Sequence, residues 1–355
     1  MKKLVLAVLA LGAVAACTKS AVQYEQPGEI SLQPVAQKAT KAAVDGTEYP
    51  TSINFNVWAW WRNCDANTDL DEFIAPDTDP DDVEPTPYIA KGEFEHKSGT
   101  SWGGTTPYYW PTKGSLVFAG YSPADASGIF SYTLGTNTFA VTDYVQSSNI
   151  AETKDLMWFD VTDVSHNQNG TSGVPVEFKH ALSWLTFKFY LKESTTPEYW
   201  TIKSVVLKGI ETTADFTAST TNTAWTTHTD APTEGITVYS NTTGHLVKKT
   251  YDTDDDAILE NTHNGVLIIP QSCAPSNGTN PADAELVITY DLKSPTGRIL
   301  TDQNVSLPLN GTSINDNKWK PGKHYIYTIT FGANEIRIAP TVEGWTDVPV
   351  EVPVP

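Results

Sequence analysis

The chain has 355 residues and a formal net charge of −19, from 23 Lys and Arg against 42 Asp and Glu. So acidic a chain is repelled by nucleic-acid phosphates and by anionic bilayer surfaces, and nucleic acid is not an expected partner. Its 3 cysteines are too few for the disulfide scaffold of an exported chain of this length. The length favours two domains.

The first residues, MKKLVLAVLALGAVAAC, follow the charged, apolar, small order of a secretory signal. Residues 14–17 (VAAC) resemble a bacterial lipobox, in which cleavage before the cysteine leaves a lipidated N-terminus. We therefore predict a signal peptide over 1–16 and lipid attachment at Cys17, with an ordinary signal peptide cleaved nearby as the alternative. Because each buried CH₂ of an acyl chain contributes about 0.8 kcal/mol, the lipid would hold the protein stably at a membrane.

Residues 17–43 are polar and proline-interrupted, as expected for a lipid tether, and within them EISLQPV (29–35) predicts one short strand or a propeptide. From TSINFNVWAWW (51–61) onward, short runs of β-branched and aromatic residues alternate with turn residues. A second such series starts at Val174. No long helical period interrupts them, so we predict an all-β fold of two antiparallel sandwich domains in tandem, over 44–173 and 174–346.

The last nine residues, DVPVEVPVP, form a segment that we call the tail (347–355). Valine occupies its even positions and proline three of its odd ones; these are Val348, Val350, Val352 and Val354, and Pro349, Pro353 and Pro355. The N–H groups of a strand alternate between its two edges, so the valines share one face and one edge while the prolines lack donors on the other edge. We predict a strand that pairs fully with one neighbour only and lies along a sheet edge, either in its own subunit or in the next. Burying four valines contributes about 6–12 kcal/mol before ordering costs.

No stretch carries a convincing catalytic or metal motif, and no cofactor is expected. GTSWG around Ser101 matches a nucleophile elbow, but the prolines that follow at 107 and 111 cannot start the helix that the elbow needs. The acidic runs at 77–81 and 252–256 lack the glycine and glutamate of a calcium loop. His180 lies in an apolar strand, where a hydrogen-bonded core histidine is commoner than a base.

Two further features leave alternatives open. The chain has 11 tryptophans, and its aromatic segments offer either core packing, the commoner use, or a stacking platform for glycans; the candidates for the latter are Trp58, Trp60, Tyr108, Tyr109 and Trp110. Cys64 and Cys273 either pair or remain separate thiols, and their separation of more than two hundred residues favours separate thiols.

Several segments in order resemble the fimbrillins, lipoprotein pilus subunits of Bacteroidales, in the Mfa-like and FimA-like branches. These are YYWPTKGSLVFAGYSP (108–123), KDLMWF (154–159), VEFKHALSWLTFKFYL (176–191), VLIIPQ (266–271) and WKPGKHYIYTITF (319–331). The resemblance implies two transthyretin-like sandwiches, export as an outer-membrane lipoprotein at the cell surface, and no enzymatic activity.

The resemblance also implies polymerisation: a protease removes the first strand, and a strand of the next subunit fills the groove. Arginine is the usual cleavage residue, yet none precedes Arg62; Lys38 and Lys41 are the candidates in that region. The implied function is a fimbrial stalk or anchor subunit that contributes to adhesion and assembles with copies of itself or with paralogous subunits. The alternative is a surface lipoprotein or pilus tip that binds host or bacterial glycans or proteins.

Overall fold

A computed structural model describes most of the chain. The described residues are 28–36, 49–62, 86–112, 114–164, 173–192, 199–219, 221–228, 235–248, 254–259, 265–273, 284–294, 296–309, 317–332 and 336–344. Within them the structure is nearly all strand, with two 3₁₀ turns at Leu134–Thr136 and Asp254–Ala257, so the all-β prediction is confirmed. None of these residues forms a helix of the length and apolarity needed to cross a membrane.

The strands are β1 (Ser31–Ala36), β2 (Phe55–Arg62), β3 (Ile89–Ser98), β4 (Ser101–Gly104), β5 (Ser115–Ser122), β6 (Ile129–Thr133), β7 (Thr138–Val145), β8 (Met157–Val164), β9 (Val174–His180), β10 (Ser183–Leu191), β11 (Tyr199–Lys208), β12 (Thr213–Ala218), β13 (Thr223–Thr227), β14 (Ile236–Leu246), β15 (Val266–Ile268), β16 (Glu285–Lys293), β17 (Ile299–Pro308), β18 (Lys323–Phe331) and β19 (Ile336–Gly344).

The first sheet is a closed barrel in the order β1-β4-β3-β2-β5-β8-β9. β1 closes it, because it pairs antiparallel with β4 and parallel with β9. The alternating apolar residues of these strands point inward and form the barrel core, which includes Leu32, Phe55, Trp102 and Phe178. Closure leaves no strand of the barrel with a free edge.

A four-stranded sheet, β13-β12-β7-β6, lies against the outside of this barrel. The two layers share a second core that includes Trp60 and Trp158 of the barrel and Phe139 and Phe216 of the sheet. β5 is therefore buried along its whole length, since one face lines the barrel and the other faces this sheet. Its sequence SLVFAGYS is correspondingly apolar throughout rather than alternating.

The remaining two sheets, β15-β10-β18-β19 and β14-β11-β16-β17, form a sandwich around a third core. Leu185 and Phe187 of β10 face this core, whereas Trp184 faces the second core. β10 therefore packs on both neighbouring layers, and the sandwich and the barrel are continuous in their packing.

The predicted boundary at residues 173 and 174 does not separate the sheets. β9 lies beyond it in sequence but pairs with β8 and β1 of the barrel, and β12 pairs with β7. The strands on either side of that position thus share two sheets. The transthyretin-like tandem arrangement remains a prediction.

The expectation of purely antiparallel pairing is wrong in two places: among the described strands, β1 pairs parallel with β9 and β10 pairs parallel with β18. Period-two patterning specifies which face of a strand is buried, but not which strand lies beside it or in which direction. Both parallel partners are far apart in sequence, so no turn signal marks either pair.

A buried histidine on the sandwich predicts a pH-dependent stability. His324 is 7% exposed, stacks on Trp184 with ring centroids 3.6 Å apart, and its Nε2 lies 2.9 Å from Thr186 Oγ1. Burial, with a smaller contribution from the charge of Lys188, lowers the pKa of His324 to about 3. Because the unfolded chain binds this proton near pH 6.5, stability is lost as the pH falls from there towards 3.

We therefore expect His324→Gln to lose about 3 kcal/mol less unfolding free energy than the parent between pH 7.5 and pH 4.5, at 1.36 kcal/mol per pH unit. Denaturant titrations of both proteins at the two pH values measure this difference. Equal losses in parent and variant would show that His324 does not govern acid sensitivity.

Candidate functional site

β1 occupies a position that we call the slot, between β4 on one side and β9 on the other. Ile30, Leu32 and Pro34 are buried, whereas Val35 on the opposite face is 42% exposed. The strand thus has one apolar face toward the barrel core and one face toward solvent. Leu32 pairs with Trp102 of β4 and with Val174 of β9.

The hydrogen bonds show which edge of β1 each N–H faces. The Ile30 N–H donates to the carbonyl of Tyr108 at 2.7 Å, and the Trp110 N–H donates to the carbonyl of Gly28 at 3.0 Å. Segment 108–110 continues the β4 side of the slot. Even-numbered residues of β1 therefore direct their N–H and C=O groups toward β4, and odd-numbered residues direct theirs toward β9.

β9 can be described in the same way. The Ala181 N–H donates to the carbonyl of Leu156, next to the start of β8, at 2.8 Å. Odd-numbered residues of this stretch thus face β8, and Val174, Val176 and Phe178 direct both their side chains into the barrel and their N–H and C=O groups into the slot. β9 is the long wall of the slot, whereas β4 pairs with β1 at Ser31 and Leu32 only.

Aromatic rings form the floor of the slot. Trp102 lies edge-on to Tyr49 with centroids 5.1 Å apart, and Tyr49 stacks on Phe178 at 5.0 Å. All three side chains are buried in the same core as Leu32. Without β1, this apolar floor and the edges of both β4 and β9 would face water, which is the exposed-edge state that folded proteins avoid.

Several predicted site residues lie outside the described residues: Cys17, Lys38, Lys41, and the tail with its four valines. Lys38 and Lys41 nonetheless follow closely after Ala36, the last residue of β1. A cut after either lysine would therefore separate β1 from the remainder of the barrel.

The first two aromatic candidates for glycan binding are on the outer face of β2, where the second core covers them. Trp60 is 5% exposed and packs on Tyr132 with centroids 5.1 Å apart. Trp58 is partly buried against the same core and lies 5.7 Å from Tyr121. Both rings are therefore committed to packing inside the molecule.

The other three candidates belong to the segment beside the slot. Trp110 is 2% exposed, and Tyr108 stacks on Phe94 with centroids 6.0 Å apart, whereas Tyr109 is half exposed. The structure thus divides four of the five predicted residues between two cores and leaves Tyr109 as the one exposed ring among them. They do not form a common stacking platform, because most of these rings fill the interior.

The residues that the sequence analysis considered as a nucleophile, a base or reactive thiols lie, where the structure describes them, in strands or in the core. Ser101 begins the strand β4 rather than a strand-to-helix turn. His180 is buried, with Nδ1 2.8 Å from Asp155 Oδ2, the hydrogen-bonded core histidine that its position indicated. Cys273 is fully buried, and burial raises the pKa of its thiol to about 11. Cys64 lies outside the described residues, as does the acidic run at 77–81.

One group of possible metal ligands, Asp143, Asp215 and His228, escaped the sequence analysis because its members are far apart in sequence. Asp143 has a positive φ of 53° at an irregularity between β7 and β12, and its N–H donates to Asp215 Oδ1 at 2.9 Å. This bond first, and then His228, lowers the pKa of the Asp215 carboxyl.

The same arrangement recurs between β16 and β17. Asp302 has a φ of 51°, and its N–H donates to Asp291 Oδ1 at 2.9 Å, again at a bulge. There the basic partner is Lys203, an ammonium group that cannot ligate a cation. Both groups are therefore best explained as carboxylates that complete the hydrogen bonds of a β-bulge.

These observations define a class of protein: an all-β protein of layered sheets in which the first described strand completes a barrel. More specifically, the chain belongs to the fimbrillin-like family, whose model matches residues 40–345. The match covers neither β1 nor the tail.

Solved structures to which this chain is similar include a putative cell adhesion protein from Bacteroides uniformis, with 16% identity, coverage of 90% of this chain and 100% of that one, and a TM-score of 0.49. A fimbrilin (FimA) from Porphyromonas gingivalis is 11% identical, with coverage of 90% of this chain and 98% of that one, and a TM-score of 0.44. The tip fimbrial protein Mfa3 of that organism, truncated at its C-terminus, is 13% identical, with coverage of 89% of this chain and 100% of that one, and a TM-score of 0.36. The comparison with curated proteins finds no match.

Proposed function

We propose that this protein is a structural subunit of a cell-surface fimbria that assembles by strand addition. Cleavage after β1 empties the slot, and the tail of another subunit, a second copy or a paralogue, fills it. The observation that carries the proposal is the position of β1, an N-terminal strand that alone joins β4 to β9. Membership of the fimbrillin-like family supports the same role.

Apolar burial can be compared for the two strands of this exchange. Ile30, next to β1, and Leu32 contribute about 3–6 kcal/mol at about 1.5–3 each, and Pro34 is buried beside them. The four valines of the tail offer about 6–12 kcal/mol on the same scale. β1 has the advantage of being in the same chain, so it remains docked until a cut removes its covalent link.

The same cut would decide where the subunit resides. In the proposed arrangement, Cys17 carries lipid in the outer membrane, and β1 lies between this anchor and the cleavage region. An uncut chain would remain tethered with its slot filled, as an anchor of a fimbria requires. A cut chain would lose both lipid and β1, as a stalk subunit requires.

The N-terminal sequence of material sheared from the cell surface tests this function. We expect chains that begin at residue 39 or 42, after Lys38 or Lys41, and a ladder of oligomers on non-denaturing gels. Cys17-lipidated monomers that are retained by polysaccharide gels would contradict it and support the glycan-binding alternative.

A further inference from the structure

The hydrogen-bonding edges of the slot determine the direction in which a strand can fill it. We propose that the tail of a second copy of this chain enters the slot antiparallel to β9, in the direction opposite to that of β1. This inference rests on the proposed strand-addition function and specifies its geometry.

The requirement comes from β9. Val174, Val176 and Phe178 present N–H and C=O groups to the slot, so an incoming strand needs N–H donors on the edge that faces them. The incoming strand also needs apolar side chains on its inward face, where Ile30 and Leu32 of β1 now lie.

Insertion in the direction of β1 fails the first requirement. In that direction, inward-facing residues turn their N–H groups toward β4, as Ile30 does, and outward-facing residues turn theirs toward β9. With the tail valines inward, positions 349, 351, 353 and 355 would face β9. Three of these four are prolines, so most carbonyls of β9 would lose their donors.

Reversing the strand while keeping the valines inward exchanges its two edges. The valines then direct their N–H and C=O groups toward Val174, Val176 and Phe178, in the antiparallel arrangement with full pairing. The three prolines move to the β4 side. β1 already has a proline whose missing N–H falls on this side, Pro34, at a position beyond the residues that pair with β4.

The β4 side can accept the prolines because its demand for donors is small. β4 pairs with β1 at Ser31 and Leu32, and Gly99 and Thr100 then turn back toward β3. The carbonyl of Tyr108, which accepts from Ile30, is one further acceptor on this side. In a reversed tail with residue 353 opposite Pro175, Glu351 is the one residue that retains an N–H on this edge, but it lies level with Val35, beyond the residues that pair with β4. The reversed tail therefore gives up the few bonds on the β4 side and keeps the longer pairing with β9.

The occupant that we specify is a second copy because β1 fills the slot of an uncut chain. The tail of such a chain can therefore enter only the slot of another copy from which β1 has been removed.

Disulfide trapping between two chains tests the direction. The full chain would carry Cys17→Ser and Cys64→Ser and a specific protease site in place of residues 38–41, which allows β1 to be removed at will. Slot chains would add Pro175→Cys or Lys179→Cys, two outward positions at opposite ends of β9. Tail chains would add Pro349→Cys or Pro353→Cys, and cleaved slot chains would be mixed with each of them.

Outward residues opposite each other in a reversed tail form non-hydrogen-bonded pairs, whose Cα separation of about 4.5 Å suits a disulfide. We expect Pro353→Cys to join Pro175→Cys, and Pro349→Cys to join Lys179→Cys, with a yield about tenfold or more above the crossed combinations, because the parallel mode leaves carbonyls unpaired. Uncleaved mixtures provide the control and should remain unlinked.

The failures are distinguishable. A preference for the crossed combinations would overturn the reversed direction while leaving strand addition in place. Polymers without any of the four crosslinks would show that another segment fills the slot. A disulfide formed within one chain at high dilution, in a variant with both cysteines, would overturn the second copy as occupant. The absence of both crosslinks and polymers would contradict the proposed function itself.

Discussion

Leu32→Asp should release β1 from the barrel and allow the protein to form oligomers without any protease cut. Leu32 is completely buried among aromatic rings of the barrel core. The substitution loses the burial of a leucine, about 1.5–3 kcal/mol, and places an unpaired carboxylate in an apolar site. The total cost of about 4 kcal/mol or more is comparable to what holds β1 in place, so undocking of β1 is the least costly response.

Val35→Asp is the matched control, since it introduces the same charge three residues further along β1, on the opposite face, at a side chain that is 42% exposed. We expect this variant to remain monomeric and to melt within a degree or two of the parent, as exposed substitutions cost little. Size-exclusion chromatography and thermal melts of the three proteins provide the comparison. Global unfolding of Leu32→Asp at room temperature would show that β1 is an indispensable part of the fold rather than a replaceable strand.

Much of the strand content follows from local pattern. Segments such as GSLVFAGY and TFAVTDY become β5 and β7 because β-branched and aromatic residues between turn residues favour short strands. The predicted strand within EISLQPV likewise appears as β1, and Ile30 and Leu32 are buried.

The position of β1 was not predictable, because its partner β9 lies more than a hundred residues away in sequence and runs parallel to it. The aromatic candidates show the same limitation. Trp60 and Tyr109 have similar sequence surroundings, yet one is buried and the other half exposed, depending on which sheet covers them. Sequence patterning describes the faces of a strand, whereas the site depends on which strands become neighbours.

Cleavage between β1 and β2 is expected to have the largest effect on assembly. It converts an intramolecular strand into a dissociable peptide and exposes the edges of β4 and β9 together with the slot floor of Trp102 and Phe178. The tail, with four inward valines, then competes for the slot at a gross burial of about 6–12 kcal/mol. Polymerisation is therefore expected only when the slot is empty and a tail is present.

The most direct measurement of this account is the mass distribution, by light scattering, of three preparations of the full chain with a protease site in place of residues 38–41. These are the uncut chain, the cut chain, and the cut chain lacking residues 347–355. Strand addition predicts monomers, polymers and monomers respectively. A fourth preparation, the uncut chain lacking residues 347–355, should melt at the same temperature as the uncut chain. Polymers in the tail-deleted preparation, or a cut chain that stays monomeric, would contradict it.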